Sequence, residues 1–259
     1  MRSPKSNRIC VLGDSHVVAL RRALGRDPAN LAGLDITLVA SARDGMNNTR
    51  LAGSRLEATT EKIADQFIRT SGGKPYVDLA NYDYLAICGL GLSLQSLFGI
   101  FNEHRLYDDT GALSDLPLIS VGATEAIAKD IFCNSIGARL LAQIRTCSAV
   151  PVLVIPQPAP TSAIGSVTGK WPWLSSPGAA RIVQTLHRIE SNALQYICSQ
   201  FGATPILQPF STLAGEGFTL DAYHQLGMEN DAAHMNADYG LLVLRQIQEF
   251  IEGVMDAKI

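Results

Sequence analysis

The sequence lacks several features that mark particular classes of protein. It contains no run of about 18 consecutive apolar residues, so no membrane-spanning helix is expected. Lysine and arginine are scattered and the net charge is -3, which argues against a nucleic-acid-binding face. Segment 1–8 (MRSPKSNR) is basic, but no apolar core of a signal peptide follows it. We therefore expect a cytoplasmic protein.

Cysteine is scarce and follows no recognisable pattern. The chain has five cysteines, an odd number, and none of them forms a C-x-x-C pair. Several lie within apolar segments, where a cysteine usually acts as a small buried hydrophobic residue in a reducing compartment. The sequence therefore predicts free cysteines rather than a disulfide framework.

What the sequence does contain is a regular alternation of apolar strands and helices. Apolar residues make up 47% and charged residues 17%, which is enough for a sizeable core. The predicted strands cover 8–12, 34–40, 82–92, 151–156 and 204–209, and the predicted helices cover 16–24, 121–147, 178–200 and a last segment capped by Asn236, with a polar helical region inside 43–70. Near-continuous apolar strands that alternate with helices predict a parallel sheet with helices on both faces.

Two segments depart from this alternation. Residues 93–120 and 157–177 are long, loop-like and rich in glycine, proline, serine and aromatic residues. Loops of this length in a compact domain are usually lids or binding loops. Trp171 and Trp173 lie in the second loop, either to stack on a sugar ring or acyl chain or to anchor the loop on the domain. Because no repeat or linker is visible, we predict a single domain over 1–259.

The end of the first strand carries a concentrated polar group, Gly13-Asp14-Ser15-His16. In open α/β sheets, ligands bind beyond the carboxyl ends of the strands, which is where this group falls. A serine there lies beside the free backbone N–H groups of a helix start, which can stabilise an oxyanion. Ser15 is therefore a candidate nucleophile, although serine and aspartate are also ordinary helix caps.

A serine nucleophile needs a base, and His234 is the best-placed histidine. It lies just before the last helix, with Asp231 three residues upstream. On a turn, that spacing lets the carboxylate hold Nδ1–H while Nε2 points outward, as a serine hydroxyl requires. The alternative is a local Asp–His hydrogen bond with no catalytic meaning. His16 follows Ser15 directly, and neighbouring side chains on a helix diverge, so it is a poor base.

These two motifs, Gly-Asp-Ser after the first strand and Asp-x-x-His before the final helix, resemble those of the SGNH (GDSL-like) hydrolase family. The resemblance covers nearly the whole chain in element order. It implies a flavodoxin-like, three-layer α/β/α sandwich with a parallel sheet of about five strands. It also implies that Ser15 is the nucleophile, His234 the general base and acid, and Asp231 the orienting carboxylate. No cofactor is expected.

The oxyanion donors of the family are matched less well. The resemblance implies a backbone N–H from Gly45, after the second strand, beside that of Ser15. The asparagine that the family usually carries after the third strand falls at Gly91 or Leu92, so it is missing. Losing one such donor typically costs a few kcal/mol of transition-state stabilisation. The candidate substitutes are Ser93, Gln95 and Asn47.

Asp14 and His16, on either side of the serine, are further candidates for substrate contact. Asp14 either points into the pocket or caps the helix, and His16 either lines the pocket or is simply a polar residue at a helix start. An Asp-x-His motif after a strand also occurs in calcineurin-like phosphoesterases, but the further metal motifs of that family are absent. We therefore expect no metal.

The sequence thus predicts a serine esterase that hydrolyses short-chain O-acyl esters, acetyl esters above all, on a small molecule or a carbohydrate. Two alternatives stay open. One is an O-acyltransferase that passes the acyl group to a sugar hydroxyl, and the other is a catalytically inactive scaffold that binds a glycan or a protein. No nucleic-acid or membrane partner is expected, and the sequence carries no signal for an oligomeric state.

Overall fold

A computed structural model describes residues 6–28, 31, 33–106, 115–176, 178–225, 227 and 231–253. The strands are β1 (Asn7–Gly13), β2 (Leu34–Ala40), β3 (Thr49–Ala52), β4 (Arg55–Ala58), β5 (Tyr76–Asp78), β6 (Tyr84–Ser93), β7 (Arg105–Leu106), β8 (Leu118–Ile119), β9 (Val152–Gln157) and β10 (Thr204–Pro205). The α-helices are α1 (Val17–Arg26), α2 (Glu61–Ser71), α3 (Ile100–Glu103), α4 (Val121–Cys133), α5 (Ile136–Cys147), α6 (Ile164–Thr168), α7 (Ala179–Phe201) and α8 (Ala237–Ile251).

The central sheet has five strands in the order β10-β9-β6-β1-β2, and every neighbouring pair is parallel. β1 lies inside the sheet, with its Val11 opposite Leu38 of β2 on one side and Ala86 of β6 on the other. This order, with the first strand between the second and the third main strand, is flavodoxin-like. The predicted parallel sheet of about five strands is therefore confirmed, and its carboxyl ends all meet at one edge.

Helices cover both faces of this sheet. Successive side chains of a strand point to opposite faces, so Val11 joins the buried cluster completed by α1 and α8. Leu12, the next residue, joins the larger cluster completed by α2, α4, α5 and α7. α1 and α8 pack so closely that a Cβ at Gly240 would lie 2.2 Å from the Ala19 carbonyl oxygen. The result is the predicted three-layer α/β/α sandwich.

One predicted helix is wrong in its extent. The segment 121–147 forms two helices, α4 and α5, rather than one. Ser135 separates them because its side chain accepts a hydrogen bond from Ala138 N at 3.1 Å and so caps α5. The apolar periodicity continues across the break because both helices pack on the same buried cluster.

Two further segments also differ from the prediction. The region 43–70 is only partly helical, because β3 and β4 form an antiparallel hairpin there and β5 joins them in a small second sheet. Strands of four residues are too short for their alternation to show in the sequence. The predicted strand 204–209 shrinks to β10 at the sheet edge, where its Pro205 is tolerated.

The loops and the last helix mostly follow the prediction. Short elements interrupt the loops 93–120 and 157–177, of which residues 107–114 and 177 lie outside the described residues. Asn236 caps α8 as predicted, since its Oδ1 accepts hydrogen bonds from the backbone N of Asp238 and Tyr239 at 3.0 and 3.1 Å. All five cysteines are free. Within the described ranges, none of the helices combines the length and apolarity needed to cross a membrane.

Candidate active site

The loop after β1 brings Ser15 to the carboxyl edge of the sheet. Gly13 ends the strand at a point where only a glycine fits, because an added Cβ would lie 2.4 Å from Val17 Cγ1 and 2.9 Å from the Cys88 carbonyl oxygen. The chain then turns, and α1 begins at Val17 with His16 as its N-cap residue. Ser15 is partly exposed at this turn. The predicted position of the candidate nucleophile, between a buried strand and a helix start, is thus what the structure has.

Ser15, His234 and Asp231 form a chain of hydrogen bonds. His234 Nε2 lies 2.8 Å from Ser15 Oγ, although 219 residues separate the two in sequence. His234 Nδ1 lies 3.1 and 3.0 Å from the two carboxylate oxygens of Asp231. One nitrogen of the ring therefore faces a carboxylate and the other faces a hydroxyl. This is the geometry in which an imidazole accepts a proton from a serine.

The Asp231 carboxylate is held in its charged form. Burial on its own raises the pKa of Asp231, but hydrogen bonds from the Ala233 backbone N and from His234 lower it, and the net pKa lies below the ordinary value. An ionised carboxylate at Nδ1 favours the tautomer with its proton on Nδ1, which leaves Nε2 free to accept the Ser15 proton. Asp231 thus fixes both the orientation and the tautomer of the neutral His234 ring.

The His16 ring stacks on a face of the His234 ring. The two imidazoles are stacked, with centroids 4.9 Å apart and planes inclined by 11°. His16 Nδ1 is buried without a hydrogen-bond partner, and burial lowers the pKa of His16 to about 4, so the ring is neutral at ordinary pH. The sequence placed His16 at the helix start but did not reveal this stacking, which depends on where His234 docks.

Asp14 joins the ends of two neighbouring strands. Its Oδ1 accepts a hydrogen bond from the His16 backbone N at 3.0 Å, and its Oδ2 accepts one from Leu90 N at 2.7 Å. The Leu90 backbone has a positive φ of 58°, between Gly89 and Gly91 whose φ values are also positive. A Cβ on Gly89 would lie 2.6 Å from the Asp14 carboxylate. Asp14 is 8% exposed; its carboxylate accepts these two backbone N–H groups, and the residue also lines a cavity at Ser15.

The two glycines predicted at the oxyanion site, Gly45 and Gly91, lie outside the lining of the two cavities at Ser15. Gly45 is buried, its N–H donates to the Ala42 carbonyl at 3.2 Å, and its missing Cβ leaves room for the Ser41 side chain. Gly91 is exposed, with a φ of 84° beside Ser135. The described residues that line the cavities at Ser15 include neither glycine. The oxyanion role of these two glycines stays a prediction.

The three candidate substitutes for the missing asparagine have other partners. Ser93 is buried and its Oγ accepts a hydrogen bond from the Ser96 backbone N at 3.1 Å. The Gln95 side chain accepts one from Gln157, and the Asn47 side chain accepts one from Arg139. Within the described residues, none of the three lines a cavity at Ser15. The Ser15 backbone N–H stays the predicted oxyanion donor.

Both tryptophans hold the loop that carries them on the domain. Trp173 is 2% exposed, its Nε1 donates to the Phe98 carbonyl at 3.1 Å, and its ring packs on Phe98 and Phe101. Trp171 meets the edge of the Phe98 ring at a centroid distance of 5.3 Å. Of the two roles open from the sequence, these contacts support the anchoring role.

Two cavities flank Ser15, and Ser15 and Val18 line both of them. The first, called here the α1–α2 cavity, has a volume of about 290 Å³ and runs between α1 and α2; its lining includes Val17, Arg21, Leu38, Ala40, Gln66 and Arg69. The second, called the His234 cavity, has a volume of about 280 Å³ and is also lined by His16, Ala19, Arg22, His234 and Met235. Arg21 and Arg69 were not predicted as site residues, because nothing in the sequence places α1 beside α2.

The described residues at these cavities form no cluster of metal ligands. Among the described residues, no group of three or more histidine, cysteine, aspartate or glutamate side chains is arranged to hold an ion. Asp231 instead faces His234, and both oxygens of Asp14 accept backbone N–H groups. These carboxylates are already engaged with protein partners.

The similarity to known proteins is confined to solved structures. No protein-family model matches the chain, and no curated protein does. A GDSL-like lipase from Bacteroides thetaiotaomicron VPI-5482 shares 10% identity at a TM-score of 0.45, over 96% of this chain and 89% of the lipase. The periplasmic domain of a lipopolysaccharide acetyltransferase from Salmonella ser. Paratyphi A shares 13% identity at a TM-score of 0.45, over 96% of this chain and 85% of that one.

A DUF4886 family protein from Bacteroides uniformis ATCC 8492 shares 12% identity at a TM-score of 0.48, over 95% of this chain and 82% of that one. At identities this low, a function has to be argued from the residues of the chain itself. Its strand order, its two helical layers and the place of Ser15 at the carboxyl edge of β1 are those that the sequence resemblance implies. The chain has a flavodoxin-like α/β/α fold.

Proposed function

We propose that the protein is a serine hydrolase of the SGNH type that cleaves short-chain O-acyl esters of a small molecule or a carbohydrate. One observation carries the proposal: Ser15 Oγ lies 2.8 Å from His234 Nε2, while Asp231 holds Nδ1 of the same ring. If Ser15 were only a helix cap, its hydroxyl would not need to contact a histidine. If Asp231 and His234 formed only a local hydrogen bond, the ring would not need to contact a serine. The three residues together match a nucleophile, its base and the group that orients the base.

In the first half of the reaction, Ser15 Oγ attacks the ester carbonyl carbon while His234 Nε2 takes the hydroxyl proton. The resulting tetrahedral intermediate carries its negative charge on the former carbonyl oxygen. When it collapses, the bond between the carbonyl carbon and the alcohol oxygen breaks, and His234 gives the same proton to that oxygen. The products are a free alcohol and an acyl group esterified to Ser15. Asp231 stabilises the imidazolium that forms between the two proton transfers.

In the second half, a water molecule takes the place of the alcohol. His234 accepts a proton from the water, whose oxygen attacks the acyl carbon, and the bond to Ser15 Oγ breaks as the proton returns to the serine. The carboxylic acid leaves and the resting site is restored. If a sugar hydroxyl replaces the water in this step, the same residues catalyse acyl transfer.

The proposal is tested by hydrolysis of p-nitrophenyl acetate. We expect the native protein to release p-nitrophenol and the Ser15→Ala variant to do so no faster than buffer. The kcat of His234→Ala should be lower by about a thousandfold or more. Catalytic residues that act as one unit lose most of their effect when any one of them is removed. The control variant His104→Gln changes a histidine whose Nδ1 contacts the Ile100 carbonyl and should retain full activity. Circular dichroism should show all four proteins folded.

A fluorophosphonate probe distinguishes the alternatives. Covalent labelling at Ser15 without ester hydrolysis would indicate a strict acyltransferase, whose acceptor must then be supplied. The absence of both labelling and hydrolysis in folded native protein would overturn the proposal in favour of an inactive binding scaffold. Equal hydrolysis by native protein and His234→Ala would refute the role of the histidine.

A further inference from the structure

The two cavities at Ser15 must receive different parts of an ester, an argument that rests on the proposed function. His234 protonates the leaving alcohol oxygen, so the alcohol has to lie within reach of its Nε2. His234 lines the His234 cavity and is not part of the lining of the α1–α2 cavity. The alcohol therefore occupies the His234 cavity, and the acyl group extends from Ser15 into the α1–α2 cavity.

The inner surface of the α1–α2 cavity is apolar. Val17, Leu38 and Ala40 are buried, and they belong to the hydrophobic cluster beneath α1. Val18 adds an aliphatic side chain that is 39% exposed beside Ser15. This surface suits the methylene carbons of an acyl chain, and a volume of about 290 Å³ exceeds what a single acetyl group fills.

The uncharged polar groups of the same wall already have partners. The Gln66 side-chain oxygen accepts hydrogen bonds from Ser41 Oγ at 2.6 Å and from Ala42 N at 3.3 Å. Thr70 Oγ1 donates to the Gln66 carbonyl at 2.9 Å and accepts from Ala40 N at 3.2 Å. The Asp14 carboxylate also lines the cavity, and both of its oxygens accept backbone N–H groups. The oxygens of these groups are thus engaged, whereas the Gln66 side-chain NH2 group has no partner among the described residues and can donate to a ligand.

Two guanidinium groups remain for recognition. Arg21 lies one helical turn beyond Val17 and Val18 on the same face of α1, and within the described chain it makes no hydrogen bond or ion pair. Arg69, on α2, donates through Nε to the Asp65 carbonyl at 3.2 Å. Both side chains are exposed, and they outnumber the single carboxylate of the lining. A cavity with an apolar inner surface and arginines toward solvent fits a chain with an anionic far end.

We propose that the α1–α2 cavity binds an acyl group with a second carboxylate at its far end, so that the substrate is a half-ester of a short dicarboxylic acid. Arg21 and Arg69 bind the second carboxylate, while Val17, Val18 and Leu38 contact the methylene carbons. Reaction at the first carboxyl group follows the two steps given above, and the second carboxylate takes no part in bond making. The substrate class is thereby narrowed from any short acyl ester to an anionic one.

The test compares two p-nitrophenyl esters with the same five-carbon chain: hydrogen glutarate and valerate. Their acyl groups differ only in whether the far end is a carboxylate or a methyl group. After subtraction of the uncatalysed rate, we expect kcat/KM of the native protein to favour the glutarate about tenfold at low salt, the effect of a partly exposed charged pair. Added salt should reduce the preference, because exposed charges are screened.

The double variant Arg21→Gln/Arg69→Gln should bring the ratio of the two kcat/KM values close to one. Lys62→Gln is the matched control, since it also removes a positive charge from α2 but lies outside the cavity lining. It should retain the native ratio. A native ratio near one, with valerate hydrolysis that depends on Ser15, would overturn this proposal and leave the proposed function standing.

Hydrolysis of p-nitrophenyl acetate but of neither five-carbon ester would overturn this proposal and leave the proposed function standing. Hydrolysis of none of the three esters, with no fluorophosphonate labelling of Ser15, would instead overturn the proposed function. The anion site is then judged by titration calorimetry with monomethyl glutarate and the Ser15→Ala protein, in which no turnover occurs. Binding that disappears when Arg21 and Arg69 are also replaced would support the site. The absence of binding with both arginines present would refute it.

Discussion

Glu190 should make the protein less stable as the pH rises through the neutral range. The residue lies on α7 and is 8% exposed, with Oε1 buried and without a hydrogen-bond partner. Burial raises the pKa of Glu190 from 4.5 to about 8, against the opposing effect of a hydrogen bond from the Leu94 backbone N. Its Oε2 lies 3.6 Å from His187 Nδ1, but burial lowers the pKa of His187, so the contact joins two neutral groups at neutral pH.

The sign follows from which state binds the proton. Between pH 4.5 and about 8 the folded protein keeps Glu190 protonated, whereas the unfolded chain has released that proton. The free energy of unfolding therefore falls as the pH rises through this window, by about 1.4 kcal/mol per pH unit. Over the whole window the loss is about 5 kcal/mol, which is a large share of the stability of an ordinary domain.

Urea denaturation of the native protein and of Glu190→Gln checks this expectation. Glutamine keeps an oxygen for the Leu94 N–H and does not titrate, so its stability relative to the native protein should increase steadily from pH 5 to pH 8. A substitution of the exposed Glu249 on α8 by glutamine should show a constant difference over the same range. If the Glu190→Gln and native curves run parallel with pH, Glu190 is ionised in the folded state and the reasoning is wrong.

Three further predictions concern the site and the helix that carries it. His16→Ala should lower kcat/KM about two- to tenfold, because the His234 ring loses the ring stacked on it. His16→Phe keeps a ring at this position and should retain most activity. Equal activity of the two variants would contradict the idea that the stacked ring positions His234. Asp14→Asn should cost about 1–3 kcal/mol in urea denaturation, because one of two backbone N–H groups loses its acceptor. Gly240→Ala should destabilise by more than about 2 kcal/mol, since its Cβ would meet the backbone of α1, whereas Gly25→Ala, in open space on α1, should stabilise by about 0.5–1 kcal/mol in the same assay.

The strand pattern of the main sheet was readable from the sequence because its buried strands are apolar runs bounded by glycine or proline. The break between α4 and α5 at Ser135 could not be predicted from the sequence. A serine at a solvent-facing position of one continuous helix would give the same pattern of apolar residues. The hairpin of β3 and β4, in which Leu51 pairs with Leu56, was not predicted. Each strand is too short to show an alternation of apolar and polar residues.

The site divides in the same way. Ser15, Asp231 and His234 each stand beside an element boundary that composition reveals, so position along the chain and the family resemblance were enough to single them out as candidates. Arg21 lies in the middle of α1 and Arg69 in the last turn of α2, and an exposed arginine is ordinary at both kinds of position. Arg21 and Arg69 differ from other exposed arginines because α1 and α2, on opposite faces of β2, bring them to the lining of one cavity. The sequence does not show this arrangement, because it depends on the tertiary structure.

The separation of Ser15 and His234 in the sequence has a consequence during synthesis of the chain. Ser15 leaves the ribosome 219 residues before its proposed base, which stands immediately before α8. At about 5–20 residues per second, synthesis keeps the two apart for some tens of seconds. Under the proposed mechanism, a growing chain therefore lacks the base of this pair, and reactivity of Ser15 toward a covalent probe would report that His234 has been added and has folded into place.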